Sequence, residues 1–546
     1  MKSFIIHNSE MHWWWGIVFA LICAVILKIT LFTGGLIPFN ADEAVVALMA
    51  RHILQGQFPI FFYGQAYMGS LDAWLIAGGF LIFGQQIWVI RLVQMIIYLG
   101  TIFTTALIAK SISGNERNGI VAALLMAFPT INVTLYTTAS LGGYGETMLI
   151  GNIIILAALR IANLSETRMF ANWLIFGFFI GLGIWVFGYS LVYSIPALIW
   201  LMWQIILRIK SIKLSSREIV NGIIANFLGL MIGGIIGCFP LLIFAYSNGM
   251  GRLFSELRGG AIAGVEQLSY LQQISQHLWS LLVLGSTVIF GIRPPWEVRW
   301  LVLPLLPYAM VFWLGAVCFG INHSIKIQRS KPGWLLLTGV VACVCLGFVM
   351  TPFGADPSGR YFLVLMAPLA IMAAEMILWS YERIGKWSFT LAGLIIIYNI
   401  AATIQCANRY PPGITTQFYE ISQIDHRYDQ ELIDFLIEHD EKYGYSNYWV
   451  SYPLAFLSQE ELIYTPRLPY HADFRYTERD NRYLPYEQMV DSSKRAAYIT
   501  TNHPALDQYL RNEFTKLDVA WQEAEMGDYH IFYDLSRKVT PEQIDL

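Results

Sequence analysis

The apolar positions of this chain fall in long blocks, not short alternations. Mostly apolar runs cover 13–33, 87–109, 117–136, 145–162, 170–187, 190–208, 219–245, 298–320, 333–352, 360–380 and 386–406. Each is near the ~20 residues that carry a helix across a bilayer, and together they predict about eleven spans. Two further apolar stretches, 70–84 and 279–292, are short and read as interfacial or re-entrant pieces. Two polar intervals are long, 34–86 and 246–297, and mix charge with helical apolar spacing, as amphipathic segments at a membrane surface do. Near Asn408 the pattern changes, at Pro411-Pro412-Gly413. Beyond it 428–440, 483–493 and 505–515 read as helices, and 448–451, 496–500 and 530–533 as strands. The pattern predicts a mostly α fold: a polytopic transmembrane helical bundle over 1–407 and a soluble extracytoplasmic α/β domain over 408–546.

Composition sharpens this picture. The 546 residues are 56% hydrophobic and 13% charged, against about 25% charged in soluble domains. The tail after residue 407 holds 24 of the 38 acidic side chains but 13 of the 35 basic ones, a net −11. The first 407 residues hold 14 acidic and 22 basic, a net +8. With a cytoplasmic N-terminus, the inner loops carry Lys110 and Arg117; Arg160 and Arg168; Arg208, Lys210, Lys213 and Arg217; Lys326, Arg329 and Lys331; Arg383 and Lys386. That is the positive-inside bias, and an odd number of spans then puts the tail outside. The apolar run from Trp13 is longer than a ~7–15-residue signal core and reads as a retained helix. The six cysteines lie in or beside apolar runs and suggest neither disulfides nor a zinc site. Nothing points to a nucleic-acid partner.

Chemistry concentrates on the side assigned to the outside. Asn40-Ala41-Asp42-Glu43 follows the first span, and this is the only adjacent Asp-Glu pair in the first 407 residues. Asn40 and Glu43 have capping-box spacing, which gives Glu43 a local role. Asp42 has no such explanation, and an acid beside membrane helices is costly unless used. In the same loop Tyr63, Gln65, Tyr67 and Asp72, interleaved with glycines, offer the hydrogen-bonding groups and close approach that suit a sugar. Arg91 opens the second span, Glu146 lies in the next outer loop, and Asp356, Arg360 and Tyr361 precede the tenth span. The planar guanidinium fork of Arg360 suits a phosphate. Lys28 reads as snorkelling to the surface, Arg51 as an interfacial cation that meets lipid headgroups, and Glu375, inside the tenth span, has no evident role. No cofactor is indicated. A divalent cation is possible among Asp42, Glu43, Glu146 and Asp356, though no spacing demands one.

These features, in this order, resemble the membrane-embedded glycosyltransferases of the C type (GT-C), especially the protein O-mannosyltransferase and lipid A aminoarabinose transferase group. The segments FNADEAVVALMARHILQGQFP, FGQQIWVIRLV and GRYFLVLMAPLA carry the likeness, which is strongest over 36–130. The resemblance implies a bacterial plasma-membrane enzyme with a polyprenyl-phosphate-linked sugar donor and a glycan, lipid or protein hydroxyl as acceptor. It implies transfer on the outer face with inversion at the anomeric carbon. It maps the catalytic base onto Asp42, with Glu43 beside it, and the phosphate-holding cations onto Arg360 and Arg91. Two positions depart from the group: Ala44-Val45-Val46 follows where a tyrosine is often found, and no basic residue stands near Met68-Gly69-Ser70. A lipid-linked glycan ligase or polymerase, and a polytopic transporter or flippase, are the alternative readings.

Overall fold

The computed structural model describes residues 2–164, 169–211, 216–262, 269–327, 330–356 and 358–546. Arg168, Lys213 and Arg329 of the predicted inner loops lie outside the described residues. The first helix, α1 (Lys2–Thr33), leads into α2 (Ala41–Leu54), a hairpin of β1 (Phe61–Phe62) and β2 (Gln65–Gly69), and α3 (Leu71–Phe83). The bundle continues through α4 (Ile87–Ser113), α5 (Glu116–Ala127), α6 (Ile131–Tyr136), α7 (Tyr144–Asn163), α8 (Phe170–Val186), α9 (Leu191–Ser211) and α10 (Ser216–Gly237). Then come α11 (Phe239–Asn248), α12 (Met250–Ile262), α13 (Tyr270–Trp279) and α14 (Ser286–Ile289), the last two joined by a π turn. The bundle closes with α15 (Leu306–Ile327), α16 (Gly333–Met350), a 3₁₀ turn over Arg360–Leu365, α17 (Met366–Ile384) and α18 (Phe389–Ala407).

Among the described residues eight stretches are long and apolar enough to cross a membrane, and the last, Arg360–Ala407, contains both α17 and α18. Of the expected spans, 170–187 is the shorter helix α8, 219–245 divides between α10 and α11, and two more come out differently. The run 117–136 breaks into α5 and α6, because Pro129 lacks the N–H a continuous helix needs. The run 298–320 turns helical only at Leu306, after an irregular stretch with Val302 at φ 45° and Pro304 beside it. The short helices α3 and α8 pack within the same bundle.

The contact between α8 and α10 rests on glycine. A Cβ at Gly177, Gly181, Gly233 or Gly237 would come within 2.0–2.1 Å of a backbone carbonyl of the other helix. Glycines four residues apart let two backbones touch, the small-residue packing that membrane helices use.

After α18 the chain builds a five-stranded mixed sheet ordered β4-β3-β5-β7-β6, from β3 (Tyr443–Ser446), β4 (Ile463–Pro466), β5 (Ala497–Thr501), β6 (Gln522–Met526) and β7 (Tyr529–Tyr533). Strands β3, β4 and β5 run parallel, while β7 pairs antiparallel with both β5 and β6. Helices α19 (Asp429–Glu438), α20 (Tyr448–Leu457), α21 (Leu484–Ser492) and α22 (Pro504–Lys516) connect them. The stretch 448–451, expected as a strand, is the start of α20. Asn447 caps it, accepting from the Trp449 N–H at 3.0 Å. An apolar run buried on all sides has no period to distinguish helix from strand.

Candidate active site

The interval 34–86, expected to lie at the membrane surface, is ordered into α2, the β1–β2 hairpin and α3. Helix α2 is buried along nearly its whole length because α3 and α20 pack on it. Asn40, extended at φ −123° and ψ 177°, starts α2 by accepting from the Glu43 N–H, and so fixes which way the next acids point. Asp42 and Glu43 diverge. Glu43 is fully buried and pairs with Arg91, Nε to Oε1 at 2.5 Å and Nη2 to Oε2 at 2.6 Å. The reciprocal half of the expected capping box is therefore missing: the Glu43 carboxylate serves Arg91, not the Asn40 N–H. Arg91, expected to meet a phosphate, is 6% exposed and bonded to Glu43 and to the Ile37 carbonyl.

Asp42 faces a recess that encloses about 720 Å³ of free space, its open mouth included. Its Oδ1 accepts from the Tyr448 hydroxyl at 2.7 Å and its Oδ2 from the Thr416 hydroxyl at 3.1 Å. Thr416 in turn accepts from the Asn40 amide at 3.0 Å. Both oxygens keep acceptor capacity for a further donor. The bundle lines the recess with Asp42, Phe62, Gln65, Met68, Tyr136, Leu141, Tyr144 and Arg360. The last quarter of the chain contributes Thr416, Phe418, Tyr448, Trp449, Tyr470, Asp480 and Arg482.

Of the residues singled out in the sequence, Asp42, Gln65 and Arg360 therefore meet at one recess. Arg360 is ion-paired with Asp356 through Nη2 and lies over the Tyr361 ring, 5.1 Å from its centre. Tyr67 is adjacent: with the Gln65 amide oriented to satisfy both its ends, its nitrogen donates to the Tyr67 hydroxyl at 3.2 Å. Tyr63 lies elsewhere, bonded to His52 Nδ1 at 3.0 Å and stacked on Tyr483 at 4.8 Å. Asp72 is buried, accepting from Gln94 at 2.7 Å and from Ser140 at 2.6 Å, and Glu146 is buried beside it. The four acids weighed for a cation are thus dispersed, and among the described residues no group of three His, Cys, Asp or Glu side chains is placed to hold a metal. Lys28 does not snorkel. It is 4% exposed and donates to Thr137 at 2.6 Å and Thr138 at 2.7 Å. Arg51 binds the Phe456 carbonyl and Glu460 of the tail, not a headgroup. Glu375 accepts from Asn118 and lies 3.4 Å from His323.

Sequence reasoning missed Arg482, Tyr448 and Asp480. They sit in a tail read as a separate domain, where polar and charged side chains are ordinary. Burial works against the charge of Arg482, but Tyr448, Asp42 and Asp480 more than offset it and hold its pKa above the usual range. Asp480 is pushed up to about 6, mainly by burial. Burial and the neighbouring Asp42 carboxylate raise the Tyr448 phenol well above its ordinary value, so it stays a donor to Asp42. The recess thus presents the Asp42 carboxylate held by two hydroxyls, the carboxyl of Asp480, two guanidiniums and a surround of aromatic faces. It can take a proton from a hydroxyl, balance a departing anion and stack a sugar ring.

Over residues 70–225 the chain matches the family model of dolichyl-phosphate-mannose-protein mannosyltransferases. No curated protein sequence matches significantly. Among solved structures, ArnT from Cupriavidus metallidurans, bound to undecaprenyl phosphate, superposes with a TM-score of 0.55 at 12% identity, over 95% of this chain and 97% of that one. The oligosaccharyltransferase AglB from Archaeoglobus fulgidus, in complex with an inhibitory peptide and a dolichol-phosphate, gives a TM-score of 0.51 at 13% identity, over 90% and 69%. The fold is that of these membrane proteins.

Proposed function

We propose, from this shared fold and recess, that the protein is an inverting glycosyltransferase. It moves a hexosyl or pentosyl group from a polyprenyl-phosphate donor to a hydroxyl of a glycan, lipid or protein. The observation that carries the reading is the Asp42 carboxylate, oriented by Tyr448 and Thr416 and facing the same space as Arg360. Asp42 takes the acceptor hydroxyl's proton as its oxygen bonds to the anomeric carbon. The bond from that carbon to the phosphate oxygen breaks on the opposite side. The electron pair leaves with the phosphate, which needs a cation and no acid. The matched family and the lipid phosphates named with ArnT and AglB support a phosphate-linked lipid donor. The positive-inside bias supports a cytoplasmic N-terminus, with the recess on the outer face.

The test uses purified protein in sealed vesicles and a panel of undecaprenyl-phosphate-linked sugars. Asp42→Asn lowers transfer by about 10²-fold or more while undecaprenyl phosphate still binds. Near-normal turnover in Asp42→Asn removes this residue from the role. Transfer only from diphosphate-linked donors moves the reading to a ligase or polymerase. Addition of donor to one side at a time reads the orientation.

A further inference from the structure

Arg482 is held in a built setting. It sits on the tail between Asp480 and the Tyr483–Tyr486 ring pair, and reaches across to the β1–β2 hairpin of the bundle. There both of its Nη atoms donate to the Gln65 amide oxygen, at 2.8 and 2.9 Å. It passes so close to Gly64 that a Cβ there would lie 2.7 Å from Arg482 Cδ; Gly64 also has φ +67°. Its guanidinium lies over the Tyr448 ring at 5.2 Å. Among the described residues no carboxylate forms an ion pair with it, and its Nε–H has no partner. The Nε–H of Arg360 is likewise unpartnered. Both guanidiniums line the recess, and both feel the hydroxyl of Tyr67. Two cations with unused donors around one space call for an anion with several acceptor oxygens.

We propose that Arg482 is the second phosphate-binding residue, so that the donor phosphate is clamped between one arginine of the bundle and one of the tail. This rests on the glycosyltransferase reading and assigns its leaving group a second cation. The acceptor subsite is left to the aromatic wall of Phe418, Trp449 and Tyr470.

The experiment compares undecaprenyl phosphate with undecaprenol, its neutral counterpart, for binding to the full-length protein. Wild type favours the phosphate. Arg482→Gln weakens the phosphate by about 10–100-fold and leaves undecaprenol unchanged; Arg482→Lys restores part of the loss. Gln65→Leu, which removes the brace but keeps the charge, retains most of the preference for phosphate. Equal loss of both lipids in Arg482→Gln, or the same loss in Gln65→Leu, makes Arg482 a structural brace and overturns the proposal. Unchanged phosphate binding in Arg482→Gln overturns it too. A wild-type protein that does not distinguish the two lipids refutes the donor reading itself, which is a separate outcome.

Discussion

Asp42 and Glu43 are neighbours in sequence with opposite fates. A step of about 100° along a helix points one into a recess and the other into the bundle. The Glu43–Arg91 pair is buried, and losing one partner strands the other charge. Arg91→Met is expected to cost about 3–5 kcal/mol of stability. Adding Glu43→Leu should recover much of that, with undecaprenyl phosphate affinity unchanged per folded molecule. Thermal unfolding of the two single variants and the double in detergent checks this; lost phosphate affinity without lost stability would put Arg91 back at the donor. The sequence marked Asp42 and Arg360 because acids and arginines beside apolar runs are conspicuous. It could not show that Arg91 would be consumed by Glu43, or Lys28 by Thr137 and Thr138, because those partners lie 48, 109 and 110 residues away. Arg482 gave no signal at all: in a polar tail an arginine is ordinary.

Helices long enough to cross the bilayer were legible because lipid imposes length and composition together. What was not legible was their ends and partners. Pro129 divides one run, and the aromatic-rich, buried start of α20 passed for a strand. The glycines of α8 and α10 recur at four-residue spacing in the sequence, but only the structure pairs the two helices. They run side by side in the same direction, Gly177 against Leu230 and Gly181 against Gly234. The obstructing atoms are backbone carbonyls, which cannot step aside. Gly181→Leu should therefore separate the helices and lower the thermal midpoint markedly, by about 1–3 kcal/mol or more of strain. Gly78→Ala, in open space, should change little. Equal midpoints for the two variants would mean that this pair contributes nothing to the bundle.

The tail is fastened to the bundle at both ends of α2. Near the second end Glu460 meets His52 at 3.0 Å, Arg51 at 3.4 Å and the Tyr486 hydroxyl at 2.7 Å. Burial acts to raise its pKa, but the His52 and Tyr486 hydrogen bonds and the charges of His52 and Arg51 bring it down to about 2. A carboxylate depressed in the folded state contributes stability that is complete above its ordinary pKa, near 4.5, and is lost as pH falls toward 2. Glu460→Gln should destabilise the protein at neutral pH and flatten its stability profile between pH 5 and 2, read by thermal melts; a parallel profile in the variant refutes the linkage. The hydrogen bond from Tyr448 to Asp42 sets a timetable. Asp42 emerges early in synthesis, but the hydroxyl that orients it comes 406 residues later. At about 5–20 residues per second, that separation lasts roughly 20–80 seconds. Throughout biogenesis the half-made chain holds its acid without the wall that faces it. A product terminated before residue 448 therefore lacks the hydroxyl that orients Asp42.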